Sequence, residues 1–313
     1  MLRRRLLIHL ITGIFLFSAG NLFCQISSSP PDTVYVGCSI YIFTSTNVID
    51  AKAAANILLQ KMIHEWEKNN YADVKIYDQI KSIEEDCRKK RIDLVVLTSY
   101  EYLTLKDRIN LTPFVAYVTG DRSLDRILLL TRKDSGIHSI TDLRNKKIVI
   151  YKPLNEKVSI TETWFKTALL EKKENYNIYY AAKTSVSNNA AKCISDVFFK
   201  KTDAVVVAEK DYEASILFNP QLANELKVID ASKPILYSFL CYTDKIKDHK
   251  GFRISELSQK LYEMNKSKVG QQFLNLFRIT GFTPFKNEYL KNTEELYDEY
   301  KRLSSSKNIK FNK

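Results

Sequence analysis

Two patterns of apolar residues alternate along this chain, and their order constrains the fold more than any other feature. Short runs rich in β-branched residues are typical of strands, and longer segments with apolar residues at helical spacing are typical of helices. Strands are predicted over residues 33–42, 73–77 and 92–98, with helices over residues 51–69 and 80–91 between them. This strand–helix–strand order requires crossover connections and therefore predicts a parallel sheet.

A second unit with the same alternation follows the first, after which the strands over residues 227–230 and 237–242 return the chain towards the first unit and helices close it. Strands are predicted over residues 113–119, 125–132, 146–151, 178–182, 204–207, 227–230 and 237–242. Helices are predicted over residues 141–145, 159–172, 188–199, 256–266, 270–277 and 293–303. We therefore predict an α/β protein of two lobes joined by a hinge, each a mainly parallel sheet flanked by helices. Residues 33–118 with 233–313 would form lobe 1, and residues 119–232 would form lobe 2.

The first two dozen residues have the order of a secretory signal peptide. Three arginines at positions 3–5 precede an apolar run over residues 6–17, and small residues follow at positions 18–20. The apolar run is shorter than the roughly 20 residues of a transmembrane helix. We therefore predict that residues 1–24 direct export and are removed, which leaves a periplasmic protein.

Two alternatives for this N-terminus stay open. The segment could remain as a membrane anchor, or Cys24 could carry a lipid, although the bulky Phe23 stands where lipoprotein signals carry a small residue. In every case residues 25–32, with three serines and two prolines, are typical of a linker.

Charge patterning argues against nucleic acid as a partner. The formal net charge is +12, to which the three arginines at positions 3–5 contribute. Elsewhere the basic residues are interleaved with acidic ones, and no basic run alternates with aromatic residues in the manner of a nucleic-acid-binding surface. We expect a monomeric protein with an ordinary solvated surface.

The cysteines and histidines do not form a metal-binding pattern. Four cysteines follow the leader, at Cys38, Cys87, Cys193 and Cys241. They form no CxxC pair and no histidine cluster accompanies them, so neither a zinc site nor a cofactor is expected. Cys38 and Cys241 lie in strand-like runs and are expected to be buried, while a disulfide in an oxidising compartment stays open.

Catalytic motifs are absent from the sequence. The chain has eight glycines and contains no GxGxxG, P-loop or GxSxG motif. The histidines that follow the leader are His64, His138 and His249, which are far apart in the sequence. We therefore predict a binding protein and not an enzyme.

Four stretches of the sequence resemble one known family. They are VYVGCSIYIF with Gly37 and Tyr41, KKRIDLVVLTSYEYL with Asp93 and Tyr102, LLLTRKDSGIHSITDLRNKKIVIYKP, and more weakly KKTDAVVVAEKDY with Glu209. Together they resemble the phosphate/phosphite/phosphonate substrate-binding proteins of bacterial ABC importers, a branch of the type II periplasmic binding proteins. The resemblance covers roughly residues 33–284, and the third stretch is the most specific.

The resemblance implies that a small oxyanionic ligand binds in the cleft between two hinged lobes and passes to a membrane permease. Ligands of open α/β sheets lie beyond the carboxyl ends of strands, near helix N-termini whose N–H groups favour anions. The expected ligand-binding residues are Tyr41, Thr44, Ser99, Tyr102, Lys152, Asn155, Ser159, Thr161, Asn188, Asn189 and Glu209. Structural roles stay open for several of them: packing for the tyrosines, helix capping for Thr44 and Ser99, and solvation for Lys152.

The chain departs from the family pattern where the ligand would lie. The family opens a helix with a Ser/Thr-Gly run, but residues 152–161 read KPLNEKVSIT, without glycine. Glu156 in this run would repel an anion if it pointed inward. A family histidine is replaced at residues 188–189 by two asparagines, and a family Gly-Pro is replaced at residues 98–99 by Thr-Ser.

These departures leave the ligand open and with it two alternative functions. The same fold could serve as an extracytoplasmic sensor or orphan binding protein that acts on a membrane receptor. It could also carry an enzyme, although export and the missing Cys/His constellation argue against that alternative.

Overall fold

Two β-sheets flanked by helices make up the part of the chain that the structure describes. This computed structural model describes residues 33–43, 48–66, 71–153, 158–172, 183–248 and 253–306. The predicted leader (residues 1–24) and linker (residues 25–32) lie outside the described residues. None of the described helices is both long and apolar enough to cross a membrane.

The strands, numbered along the chain, divide between the two sheets. The first sheet contains β1 (Thr33–Ser39), β2 (Tyr71–Tyr77), β3 (Leu94–Thr98), β4 (Leu111–Val118), β10 (Ser238–Thr243) and β11 (Gly281–Pro284), in the order β11-β4-β10-β3-β1-β2. The second contains β5 (Ile127–Arg132), β6 (Lys147–Tyr151), β7 (Lys183–Ser187), β8 (Ala204–Ala208) and β9 (Leu226–Ala231), in the order β7-β6-β8-β5-β9. Each sheet with its helices forms one lobe.

The helices connect the strands and continue beyond the last sheet strand. They are α1 (Val48–Trp66), α2 (Ile80–Arg88), α3 (Ser99–Leu105), α4 (Ile160–Glu171), α5 (Ala190–Phe198), α6 (Glu209–Phe218), α7 (Gln221–Glu225), α8 (Ile254–Tyr262), α9 (Lys268–Phe277) and α10 (Glu288–Ser306). Short 3₁₀ helices span Ile40–Ile42, Ile140–Leu143, Asp244–Asp248 and Met264–Lys266.

Strand pairing confirms that the predicted β1, β2 and β3 are parallel and shows that other strands of the same sheets are antiparallel. β1 pairs in parallel with β2 and β3, with Val36 opposite both Val74 and Leu94, and β6 pairs in parallel with β7 and β8. The remaining pairs, which involve β4, β5, β9, β10 and β11, are antiparallel. Each sheet is therefore mixed and not mainly parallel, because the chain enters and leaves the second lobe through neighbouring strands that run in opposite directions.

The central strands are the best-predicted elements because they are buried on both faces. All five residues of β8 (AVVVA) are buried, as are the four apolar residues of β3. Such continuous β-branched runs are expected for strands covered by helices on both sides. Asp93 immediately precedes β3 and is fully buried. Its carboxylate accepts hydrogen bonds from Lys245 Nζ at 2.7 Å and from the Tyr35 N–H at 2.8 Å.

Some elements differ from the sequence prediction. The first strand ends at Ser39, three residues early, because the Ser39 hydroxyl accepts a hydrogen bond from the Tyr41 N–H at 3.1 Å and the chain turns. The strand predicted over residues 178–182 lies outside the described residues, and β7 follows it directly. The sequence prediction missed α3, α6, α7, β7 and β11. No residue of α6 is fully buried, and its Tyr212 and Ile216 pack only partly buried against the core.

Three of the four described cysteines are buried, and Cys87 is partly exposed. Cys38 and Cys241 are 3% and 0% exposed, which confirms their predicted burial. Burial raises the pKa of the Cys38 thiol to about 12. All four described cysteines are free thiols.

Two segments, residues 119–126 and 232–237, connect the lobes. They are joined by reciprocal backbone hydrogen bonds, from the Asp125 N–H to the Ile235 carbonyl at 2.9 Å and from the Ile235 N–H to the Asp125 carbonyl at 2.8 Å. The C-terminal helix α10 contacts α3 of the first lobe and α4 of the second. The ring centroids of Tyr297 on α10 and Tyr100 on α3 lie 5.1 Å apart.

Candidate ligand-binding site

A cavity of about 670 Å³ lies between the two lobes. Its first-lobe wall is formed by the segments that follow β1, β2 and β3, and its second-lobe wall by those that follow β6 and β8. The carboxyl ends of strands from both sheets therefore meet at this cavity, which is where open α/β sheets hold ligands.

The first-lobe wall is held by a buried hydrogen-bond network around Glu101. The Thr98 side chain accepts the Glu101 N–H at 3.3 Å, and the Glu101 carboxylate accepts the Thr98 N–H at 2.9 Å, which forms a capping box at the start of α3. The Ser39 hydroxyl donates to the same carboxylate at 2.8 Å. The Thr98 hydroxyl is a third donor, at 2.9 Å. Glu101 is 1% exposed, and this burial raises the pKa of its carboxyl group despite the three donors.

Two of the predicted binding residues meet at this wall. Tyr41 lines the cavity from the turn after β1, and its hydroxyl donates to the Asp78 carbonyl at 2.8 Å. Ser99 also lines the cavity, but its hydroxyl donates to the Leu236 carbonyl at 2.5 Å and ties α3 to the returning chain.

Tyr102 lies away from the residues that line the cavity. It is on α3, and its ring packs edge-to-face on Phe239 with centroids 5.1 Å apart. Burial raises the pKa of Tyr102 to about 12. Tyr102 therefore has the packing role that the sequence analysis left open as an alternative to ligand contact.

On the second-lobe wall the N-terminus of α4 borders the cavity. Ile160 and Thr161, its first two residues, line the cavity. Ser159 is the N-cap, and its hydroxyl accepts the Glu162 N–H at 3.4 Å. Of the predicted residues here, Thr161 is at the cavity and Ser159 caps the helix beside it.

The remaining predicted residues are distributed elsewhere. Lys152 and Asn188 line a separate, open depression beside β7, and the Asn189 side chain caps α5 by accepting the Lys192 N–H at 2.9 Å. Glu209 accepts a hydrogen bond from Arg126 Nε at 2.9 Å, which lowers the pKa of its carboxyl group. Thr44 and Asn155 lie outside the described residues.

Charged residues that the sequence analysis did not single out also line the cavity. They are Asp78, Arg122, Asp125, Lys210, Asp211 and Arg278. Arg122 is engaged by Glu213, whose carboxylate lies 2.6 Å from Nη2. The Lys210 ammonium lies 5.2 Å from the centroid of the Tyr237 ring. Asp125 and Asp211 both lie close to predicted strands, which could have identified them as candidates for the cavity lining. The sequence analysis instead selected Glu209 as the acidic binding residue.

Aromatic residues make up much of the apolar lining. They are Tyr41, Tyr100, Tyr117, Tyr151, Tyr237, Phe277 and Tyr297. Aromatic faces attract cations as well as apolar groups. Within the described residues, no group of three or more His, Cys, Asp or Glu side chains is arranged to hold a metal ion.

A sequence family described as "ABC transporter, phosphonate, periplasmic substrate-binding protein" matches residues 41–290, which is most of the chain. The chain belongs to this family. This match confirms the family that was predicted from the four sequence stretches. Its members are transport substrate-binding proteins and not enzymes. A search of curated proteins gave no match.

Three solved structures with low sequence identity have a similar fold. PhnD1 from Prochlorococcus marinus in complex with methylphosphonate is 15% identical, covers 87% of this chain and 99% of that chain, and gives a TM-score of 0.59. XAC2383 from Xanthomonas citri bound to chloride ion is 14% identical, with 88% and 99% covered and a TM-score of 0.60. A binding protein component of an ABC phosphonate transporter from Pseudomonas aeruginosa is 16% identical, with 90% and 91% covered and a TM-score of 0.57. These similarities confirm the two-lobed type II periplasmic-binding-protein fold.

Proposed function

We propose that this protein captures a small solute outside the cytoplasm, as a monomer, and presents it to an ABC-type membrane permease. The observation that carries the proposal is the cavity of about 670 Å³, lined by both lobes next to the segments that connect them. This volume lies within the range of small-molecule sites. Closure of the lobes over a ligand is the hinge motion that two-lobed binding proteins use.

The ligand of this cavity carries an oxyanionic group in our proposal. The N-terminus of α4 borders the cavity, and its N–H groups and dipole favour negative charge. Lys210 and Arg278 add positive charge to the lining. The relatives give further support, since their structures contain methylphosphonate in PhnD1 and ATP in XAC2383.

The position of three predicted residues in the cavity lining supports a role in ligand contact. Tyr41 and Ser99 line the first-lobe wall, and Thr161 lines the second-lobe wall. We assign ligand contact to these three. Export follows in the proposal from the periplasmic family together with the signal-like residues 1–24.

A cavity-filling variant with a matched control tests this function. Ala214 on α6 lines the cavity, whereas Ala223 on α7 is an exposed alanine of the same lobe that does not line it. Isothermal titration calorimetry with inorganic phosphate, methylphosphonate, sulfate and ethanesulfonate would identify which oxyanions bind. We expect Ala214→Trp to abolish the binding that the wild type shows and Ala223→Trp to retain it.

The same experiment has clear contrary outcomes. Equal binding by Ala214→Trp and wild type would move the ligand out of this cavity. Absence of heat for every oxyanion, together with native mass spectrometry that finds a bound molecule without an oxyanionic group, would overturn the proposed ligand class. Transport of the bound solute in vesicles that contain the permease would test delivery.

A further inference from the structure

The three most exposed large apolar side chains of the described residues lie at the ends of two helices in the second lobe. Phe218 and Leu217 at the end of α6 are 92% and 84% exposed, and Phe199 directly after α5 is 65% exposed. Single exposed apolar residues are ordinary on a protein surface, but a group of them at one place marks a contact surface.

Both helix ends lie at the edge of the second sheet that faces away from the cavity. β6, β7 and β8 are parallel, and α5 carries the chain from the carboxyl end of β7 back to the amino end of β8. α6 starts directly after β8 beside the cavity, and its 10 residues extend for about 15 Å toward the opposite edge. After α7 the chain enters β9 at Leu226, opposite Arg132 at the end of β5, which is antiparallel to β8. We call this edge the distal end and define it as residues 132–147, 198–203 and 217–227 together with Lys183.

The distal end is held together by Arg132. Its Nη1 donates to the Phe198 carbonyl at the end of α5 at 2.7 Å, and its Nη2 donates to the Glu225 carboxylate after α6 at 2.7 Å. Phe198 of α5 and Tyr212 and Ile216 of α6 also pack against the same buried cluster. The exposed apolar side chains therefore project from a packed support that fixes the two helix ends relative to each other.

The surface around these apolar side chains is basic. Two acidic residues of the distal end, Asp142 and Asp203, accept backbone N–H groups at 2.9 and 2.7 Å. Asp134 and Glu225 pair with Arg132. Positive charge is therefore in excess among the side chains that reach solvent. The exposed basic residues of the distal end are Lys133, Arg144, Lys147, Lys183, Lys200 and Lys201.

We propose that the distal end docks on the surface of a lipid bilayer that carries anionic headgroups. Leu217, Phe218 and Phe199 enter the boundary between the headgroups and the acyl chains, and the surrounding lysines contact lipid phosphate groups. The contact is peripheral and reversible, because three side chains bury far less carbon than a transmembrane helix does. It does not depend on which solute the cavity holds.

The shape and the charge of the distal end favour a bilayer over a protein partner. Leu217, Phe218 and Phe199 project from helix ends, and none of them lines the interlobe cavity or the depression beside β7. A projecting apolar group inserts into a fluid layer without a preformed pocket. A second copy of the chain would bring two basic surfaces together, which like-charge repulsion opposes.

Docking at the distal end keeps the cavity available to solute. The cavity lies at the carboxyl ends of β6 and β8, and the distal end lies at their amino ends. A protein held in this way stays at the membrane surface with its cavity turned away from the lipid.

Co-sedimentation with vesicles tests the docking. The sample is the chain from residue 25 onward, the form expected after export, so that the apolar leader does not contribute. Vesicles of phosphatidylcholine alone are compared with vesicles of an equimolar mixture of phosphatidylcholine and phosphatidylglycerol. We expect at least tenfold tighter binding to the anionic vesicles and loss of that binding in about 0.5 M sodium chloride, which screens surface charge.

Apolar variants locate the contact. The double variant Leu217→Ser/Phe218→Ser should weaken binding to the anionic vesicles by about tenfold or more, since it removes the groups that enter the bilayer. Ile57→Ser/Tyr71→Ser is the matched control, because it removes two exposed apolar side chains of the first lobe. The control should bind as the wild type does.

Charge variants test the headgroup contact separately. Lys200→Gln/Lys201→Gln should weaken binding by about tenfold, since each lysine near an anionic surface strengthens binding several-fold. Lys266→Gln/Lys286→Gln is the control. All four lysines are mostly exposed and lie within 4 Å of an acidic side chain, but Lys266 and Lys286 lie outside the distal end.

The outcomes decide the inference. Binding to the anionic vesicles that both distal variants weaken and both controls retain would support it. It would be overturned by a wild type that binds neither kind of vesicle, by binding that either distal variant leaves unchanged, or by an equal loss in the controls. Light scattering that shows a dimer for the wild type and a monomer for Leu217→Ser/Phe218→Ser would assign the apolar side chains to a second copy and overturn it as well. Circular dichroism checks folding, and Phe218→Ser alone carries the test if the double variant does not fold.

Discussion

Replacing Glu101 with alanine should destabilise the first lobe. The Glu101 carboxylate accepts from the Ser39 hydroxyl at 2.8 Å and from the Thr98 N–H and hydroxyl, both at 2.9 Å. Ser39 and Glu101 are 0% and 1% exposed, so water does not reach the groups that lose their acceptor.

The magnitude follows from the groups that are left without a partner. Each buried donor left unsatisfied costs about 1–3 kcal/mol, and two such donors remain, the Thr98 N–H and the Ser39 hydroxyl. The expected loss for Glu101→Ala is therefore about 4 kcal/mol. A protein of this size loses roughly 2–4 °C of Tm for each kcal/mol, so Tm should fall by about 10 °C.

Glu101→Gln is the matched control for this prediction. Its side-chain oxygen can accept from Thr98 and its amide can donate to the Ser39 hydroxyl, so the expected loss is about 1 kcal/mol. Urea unfolding followed by circular dichroism measures both variants against the wild type. Equal losses for alanine and glutamine, or a loss below about 1 kcal/mol for alanine, would refute the network described here.

The same pair of variants reveals the titration of Glu101. Because burial raises the pKa of this carboxyl above its ordinary value of 4.5, the folded state holds the proton more tightly than the unfolded state. Stability therefore falls as the pH rises from 4.5 through the folded-state pKa and is constant above it. Asp125 and Asp211 have raised pKa values as well, so the difference between wild type and Glu101→Gln isolates the part that belongs to Glu101.

Two further predictions concern backbone geometry. A Cβ at Gly270 would lie 1.9 Å from the Met264 carbonyl oxygen, so Gly270→Ala should lower the free energy of unfolding by about 3 kcal/mol or more. Gly281→Ala is the control, because no atom lies within 4 Å of its added Cβ, and it should be near neutral in thermal melts. Lys200 has a left-handed backbone with φ of 62°, so Lys200→Gly should raise stability by about 0.5–1 kcal/mol and Lys200→Val should lower it. If urea unfolding shows stability changes of the same sign for both variants, the backbone argument is contradicted.

Patterns of buried apolar residues made the central strands predictable from the sequence. Strands and helices that are partly exposed were not predicted. β8 is recognisable because AVVVA has to be covered on both faces. β7 (KTSVS) carries little apolar character, and its Val186 is 54% exposed, so no buried face identifies it as a strand. The capping box of α3 was present as Thr98 and Glu101 but followed a strand without any intervening turn signal.

The sequence predicted where the candidate site lies but only some of the residues that line it. Strand ends located the cavity, and Tyr41 and Ser99 were found there. The sequence does not determine which way a side chain on a helix points, and Tyr102 turns into the core against Phe239. Asp125 lies beside a predicted strand, but its contact with the Lys210 N–H joins residues that are distant in the sequence and was not predicted.

The contacts of α10 constrain how the lobes can move. Tyr297 packs with the buried core of the second lobe and also lies 5.1 Å from Tyr100 on the first. If these contacts persist during closure, the rotation axis passes close to α10, and residues far from it travel the longest distance. Pairs of spin labels placed on the rim opposite α10 would then report ligand binding, whereas a pair placed beside Tyr297 would record almost no change.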